Sequence, residues 1–198
     1  MGRVVVTEFI SLDGVVEAPG GEEFRYPDWS FEVDRGPEGE RFKETEALGA
    51  AALLLGRRTY EGFAAAWPQY EGELADKYNG MPKYVVSGTL TDPTWSGTTV
   101  LSGDLVDDVA RLRDEVDGDI SVPGSIRLVQ ALLAHDLVDE IHLMTIPLVL
   151  GHGRTLWPPT PDKTAWRLVE ATPYGDGVLV TVHRRSRVTV ARDRAGWA

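Results

Sequence analysis

The chain has 198 residues, 42% of them hydrophobic and 26% charged, enough for one domain with a sizeable core. Its 20 basic and 31 acidic residues leave a net charge of −11, which argues against sequence-independent binding to nucleic acid or to an anionic membrane surface. The absence of cysteine excludes a disulfide framework and thiolate metal ligation.

Residues 3–10 are β-branched and aromatic, as in a buried strand, and Asp13-Gly14 marks a turn. Residues 18–37 read as a long loop carrying Phe24, Tyr26, Trp29 and Phe31, either a lid or binding surface or a cover for the core. A helix is predicted from about Pro37 to Leu48, with Glu38, Phe42, Thr45 and Leu48 on its inward stripe. Ala51 to Leu55 is a strand buried on both faces, as in a parallel sheet, and it stops at Gly56. A second helix opens at Arg57, and strands are predicted over 83–87 and 98–101. Leu105 to Val116 forms a helix with Asp107 and Asp108 in its first turn, where the dipole favours them. A strand over 119–122 leads through Pro123-Gly124 into a helix from Ser125 to Ala134, and strands over 138–146 and 178–183 close the pattern.

Strands alternating with helices imply a mostly parallel sheet covered on both faces. Residues 1–183 read as one domain. Residues 184–198 are a basic tail with five arginines and one aspartate, able to fold back on the acidic body, to reach a neighbouring subunit or to fray. No leader pattern precedes the first strand, and the longest apolar run, Ala47 to Gly56, is shorter than the ~20 residues a bilayer needs; the expectation is a cytoplasmic protein with no membrane role.

In such sheets the ligand crevice lies beyond the carboxyl ends of the strands. Three segments there stand out. Gly56-Arg57-Arg58-Thr59 joins a permissive backbone and a helix N-terminus to two guanidinium groups; Ser87-Gly88 offers a hydroxyl beside a glycine; Gly124-Ser125-Ile126 is a second glycine turn before a helix. Three such turns on one edge point to an extended polyanion such as a dinucleotide, although each alone also serves as an ordinary turn. The G-x-G-x-x-G, Walker A, G-x-S-x-G and H-E-x-x-H patterns are absent, and the four histidines lack ligand spacing, so no metal is expected.

Several segments together resemble the dihydrofolate reductase-like superfamily, and more closely the RibD C-terminal reductase family of riboflavin biosynthesis, including its stand-alone members. They are Val6 to Gly14, Leu54 to Glu61, Val85-Val86-Ser87, Val122 to Ser125, Leu137 to Leu143 and Pro147 to Gly151. The resemblance implies a three-layer α/β fold with helices on both faces of a mostly parallel central sheet and an antiparallel C-terminal strand. It implies NADPH binding and hydride transfer to a pyrimidine- or pterin-like substrate, as in the reduction of 5-amino-6-(5-phosphoribosylamino)uracil. Phe9 and Val16 would flank the nicotinamide. Gly56, Arg57, Arg58 and Thr59 would meet phosphates; Arg57, Arg58 and Ser87 would serve the 2′-phosphate; Gly124, Ser125 and Ile126 would cradle the pyrophosphate; Gly88 would also bind the cofactor. Pro123 stands where the family usually carries a first glycine, and it lacks an N–H donor.

For the proton, Glu38 lies four residues before Phe42, the spacing of the folate enzymes' helix carboxylate. Glu40 and water are alternatives, and a first-turn glutamate is also simply favoured by the helix dipole. A non-catalytic nucleotide-binding module of the same fold and a dihydrofolate reductase-type enzyme are the competing readings, and a homodimer is expected.

Overall fold

A computed structural model describes residues 1–20, 23–157 and 163–186. At its centre lies β1 (Arg3–Ser11), whose Val4, Val5 and Val6 are buried on both faces as the middle strand of a doubly covered sheet requires. The chain continues through α1 (Gly36–Gly49), β2 (Ala52–Gly56), α2 (Arg57–Ala66), α3 (Glu73–Gly80), β3 (Lys83–Val86) and β4 (Thr98–Leu101). There follow α4 (Leu105–Glu115), β5 (Asp119–Pro123), α5 (Ile126–Ala134), β6 (Glu140–Ile146), β7 (Trp166–Tyr174) and β8 (Val178–Arg185).

The sheet order is β4-β3-β2-β5-β1-β6-β8-β7. The pairings from β4 through to β6 are parallel, and β8 runs antiparallel to both β6 and β7. The α/β three-layer arrangement is therefore as expected, except that the antiparallel end is a hairpin with β7 on its edge. Also additional to the expectation is α3.

One core packs Val4, Val6, Leu54, Ile120 and Val122 against α4 and α5. On the opposite face Leu53, Leu55, Val85 and Trp95 meet Ala47 of α1, Tyr60 of α2 and Tyr78 of α3. A third cluster joins Met144, Ile146, Val178 and Val180 to the aromatic loop, with Trp29 fully buried at its centre. The Trp29 indole N–H donates to the Glu17 carbonyl (2.9 Å) and the Ser30 hydroxyl to that of Pro19 (2.7 Å), so this loop is stapled down as a cover for the core.

The β7–β8 turn presses on the entry to α1. A Cβ at Gly175 (φ +45°) would lie 2.1 Å from the Asp34 carbonyl, and the Asp176 N–H donates to that same carbonyl at 2.8 Å. The strand β8 carries Arg184 and Arg185, which pair with Glu140 and Asp136; the expected boundary at 183 thus falls inside a strand, and 187–198 lie outside the described residues. No helix among the described residues is long and apolar enough to cross a membrane.

Candidate active site

Parallel pairing aligns the carboxyl ends of β3, β2 and β5, so Ser87, Gly56 and Gly124 follow neighbouring strand ends on one rim. The turn into α5 passes through two left-handed residues, Gly124 (φ +56°) and Ser125 (φ +57°). For a serine that conformation is costly by ~1 kcal/mol. Two hydrogen bonds hold it there: the Gly56 N–H donates to Ser125 Oγ (2.9 Å), and the Ser125 N–H donates to Thr59 Oγ1 (2.9 Å). The turns after β2 and β5 are thereby locked together, and the first-turn amides of α5, which lack intrahelical acceptors, open onto the rim.

Arg57 and Arg58 are both exposed at the N-terminus of α2. Arg57 donates to Glu61 Oε1 (2.7 Å) and Thr89 Oγ1 (2.7 Å). Arg58 has no hydrogen bond or ion pair among the described residues, a cation opposed to the helix dipole and open to an anion. Ser87 Oγ accepts the N–H groups of Thr89 and Leu90, which fixes the turn after β3; Gly88 is exposed beside it.

Beyond β1, Asp13 binds the Ser11 hydroxyl (2.6 Å) and the amides of Gly151 (2.7 Å) and Leu150 (3.1 Å), tying the two loops at this end of the sheet. The Ser11 hydroxyl, with those amides, holds the Asp13 carboxyl below its ordinary range. Phe9 is half-buried on the α1 side of the sheet. Val16 is buried in the core under α4 and α5, so its side chain offers no surface to a ligand.

The helix α1 departs from the expected stripe. Glu38 and Thr45 are exposed, while Gly39, Phe42, Lys43, Glu46 and Ala47 turn toward the sheet. Polar partners on the strands below account for this. Lys43 Nζ donates to Thr7 Oγ1 (2.5 Å) and Glu46 Oε2 (2.5 Å), and the Thr7 hydroxyl donates to the same Glu46 oxygen (2.7 Å). The other Glu46 oxygen takes the His142 Nδ1–H, and His142 Nε2 lies 2.8 Å from Glu140 Oε1. Glu140 Oε2 in turn pairs with Arg184, and Arg3 lies 3.6 Å from that second oxygen.

A histidine facing a carboxylate acceptor at each ring nitrogen must donate twice, which makes it an imidazolium. Burial opposes that charge, but the hydrogen bonds and charges of Glu46 and Glu140 outweigh it and raise the His142 pKa. Burial also opposes charge on Glu46, yet Lys43 and His142 lower its pKa to about 2. Glu140 is lowered likewise, against burial, by Arg184 and His142.

Two cations flank the Phe9 ring. Lys43 Nζ lies 5.2 Å from its centre and the Arg35 guanidinium carbon 5.1 Å. Arg35, buried just before α1, also stands 5.0 Å from the Phe31 ring centre and donates to Glu40 Oε1 (2.6 Å). A cavity of about 300 Å³ opens over it, lined by Phe31, Asp34, Arg35 and Glu40 among others. Glu40 is thus tied to Arg35.

Of the residues singled out from the sequence, Gly56, Arg57, Arg58, Thr59, Ser87, Gly88, Gly124, Ser125 and Ile126 come together on the rim. Phe9 lies on the α1 side of the same end of the sheet, and Glu38 stands apart on the exposed face of α1. Sequence reasoning missed Arg35, Lys43, Glu46 and His142. The one available signal was a histidine inside the otherwise strand-like Glu140 to Ile146.

A mostly parallel doubly wound sheet that ends in an antiparallel hairpin, with glycine turns on its carboxyl edge, gives the chain a fold of the dihydrofolate reductase type. Within it, the chain belongs to the RibD C-terminal domain family, which it matches over residues 3–180. It is 25% identical to the uncharacterized protein YyaP of Bacillus subtilis (strain 168) over 192 residues, covering 91% of this chain and 94% of that protein. It is 27% identical to the uncharacterized YwjB of the same organism over 176 residues, covering 89% and 94%. The fold is similar to that of a candidate riboflavin biosynthesis protein from Shewanella sp. PV-4, with a TM-score of 0.76 and 21% identity over 93% of this chain and 99% of the other. Dihydrofolate reductase from Enterococcus faecalis, complexed with NADP(H) and RAB-propyl, gives a TM-score of 0.63 and 16% identity over 93% and 96%.

Proposed function

We propose that the protein is an NADPH-dependent reductase acting on a pyrimidine- or pterin-like heterocycle, of the kind that reduces a ribosylaminouracil. The observation that carries this reading is the rim itself. Gly56 to Thr59, Ser87 and Gly124 to Ile126 stand at three adjacent strand ends, beside Arg58, which has no ion pair among the described residues. That donor set suits a dinucleotide: the first turn of α5 for the pyrophosphate, and Arg58 with Thr59 and Ser87 for a 2′-phosphate. The Ser125 N–H is already committed to Thr59, so the amides of Ile126 and Arg127 are the pyrophosphate donors in this reading. When bound, the dihydronicotinamide supplies the hydride. Phe9 would present its ring to the reacting heterocycle, and the cavity beside Arg35 would admit the substrate.

Titrating the protein with NADPH and NADH, followed by tryptophan fluorescence, tests the cofactor assignment. NADPH should bind at least tenfold more tightly than NADH. Arg58→Ala should weaken NADPH by ~10-fold or more, about 1.4 kcal/mol, and leave NADH within twofold. Equal affinities in the wild type, or no binding at all, would remove the reading. Binding without oxidation of NADPH by any pteridine or ribosylaminopyrimidine would leave a binding module instead. The reading also includes a homodimer formed through the face of β7 and β8 that is exposed among the described residues.

A further inference from the structure

The series Lys43–Glu46–His142–Glu140–Arg184, largely buried from Glu46 to Glu140, alternates in charge across α1, β6 and β8, and the rim makes no use of it. We propose that Lys43 is a catalytic acid of this site, handing a proton to the nitrogen or oxygen of the substrate's reducible double bond, and that His142, acting through the shared Glu46 carboxylate, sets how readily it does so. The proposal rests on the reductase reading and adds the residues that manage the proton.

Position favours Lys43 over the carboxylates of the same helix. Its ammonium has three protons, of which two go to Thr7 and Glu46, and its side chain stays 21% exposed beside the Phe9 ring. Glu46 is ionised and occupied at both oxygens, so it is an acceptor. Glu38 is exposed on the far side of α1, and Glu40 is held by Arg35.

The step balances without another co-reactant. As the acceptor's carbon receives the hydride pair from reduced nicotinamide, its C=N or C=O π pair moves onto nitrogen or oxygen, which bonds the proton leaving Lys43 Nζ. The coenzyme is oxidised, the heterocycle is reduced, and the neutral Lys43 amine regains a proton from water at its exposed edge.

His142 is a positioning residue here. While it is charged, Glu46 is shared between two cations; once it is neutral, Glu46 faces Lys43 alone. The charged or titratable groups facing this pair are Glu46 from α1, Tyr78 from α3, Glu140 from β6, Arg184 from β8 and, further out, Arg3 with Asp119. Lys43→Arg separates structure from chemistry, because arginine keeps the ion pair but cannot release a proton at any working pH.

The test uses the full chain labelled at lysine Cε, with the variants Lys43→Arg and His142→Gln. It records NADP⁺ binding, thermal midpoints, and single-turnover NADPH oxidation against dihydropteridines and ribosylaminopyrimidines. The Lys43 resonance, assigned by its loss in K43R, should step as His142 titrates, and the step should vanish in H142Q. K43R should bind NADP⁺ within twofold of wild type and keep its midpoint, while turnover falls at least 100-fold; H142Q should lose the inflection of turnover with pH. Turnover by K43R within threefold of wild type, or a Lys43 resonance flat through the His142 titration, overturns the proposal and leaves the reductase reading standing. No NADP⁺ binding by wild type removes both. If wild type binds NADP⁺ yet reduces nothing in the panel, the stepped or flat Lys43 titration decides.

Discussion

Glu46 lies between two cations, and its environment dictates how stability should depend on pH. Its carboxyl drops from 4.5 to about 2 on folding, so the stabilisation it brings is complete above pH 4.5 and disappears as pH falls toward 2. That contribution is on the order of 3 kcal/mol. His142 has the opposite sign. Its pKa is raised above 6.5 in the fold, so its contribution is complete below pH 6.5 and is lost as pH climbs through the folded value. Urea denaturation should therefore give a plateau between about pH 4.5 and 6.5, with the midpoint falling on either side. Glu46→Gln should flatten the acid side and His142→Gln the alkaline side above pH 6.5. An alkaline limb unchanged in H142Q would mean that the imidazolium is not shared between Glu46 and Glu140 as the geometry requires.

At the scale of elements, the strand ends were legible and the inward face of α1 was not. Gly56, Ser87 and Gly124 punctuate their strands because a tight turn makes local demands, written in adjacent residues. Their convergence was inferable from the α/β alternation, which fixes parallel crossovers. By contrast, nothing in the i, i+3 spacing of Lys43 and Glu46 sets them apart from a solvated ion pair, and only the pairing of Thr7 with His142 across β1 and β6 reveals polar partners beneath the helix. The strand β7 is hard to read because none of its residues is buried and a bulge between Leu168 and Glu170 breaks its alternation. The eight residues of α3 hold few apolar positions, and their place depends on Lys83. That lysine is fully buried and donates to the carbonyls of Asn79 (2.7 Å), Met81 (2.8 Å) and Ser96 (3.0 Å), binding the end of α3 to the approach to β4. Lys83→Met removes three charge-assisted bonds and strands the acceptors, so it should destabilise the protein by about 2–4 kcal/mol in urea denaturation. A loss below about 0.5 kcal/mol would show the carbonyls satisfied without the ammonium.

Over the whole molecule, the helical layers cover the sheet unevenly. The side carrying α4 and α5 is sealed as far as β6, but on β8 the residues alternate, with Val178, Val180 and Val182 buried beneath and Leu179 37% exposed above. Beside Leu179 the pairing places Pro173, and Leu168 of β7 (54% exposed) lies across from His183. A groove of about 250 Å³ lined by Ile141, Leu143, Trp157, Trp166 and His183 continues this surface. Exposed apolar area on a sheet face, at the end of the molecule where Arg184 and Arg185 already neutralise Glu140 and Asp136, is where a body of net charge −11 can meet a second copy with the least repulsion. A two-fold pairing would set Leu168 and Leu179 of each copy against the same face of the other. Light scattering in solution should give twice the chain mass of 21.7 kDa, and Leu168→Glu should yield the monomer by placing like charges across the axis. A wild-type monomer at micromolar concentration, or a dimer that survives L168E unchanged, would place the contact elsewhere or remove it. The proposed NADPH binding provides the control, since the rim of Gly56, Ser87 and Gly124 is separated from this face by β1 and β6 and should be indifferent to the substitution.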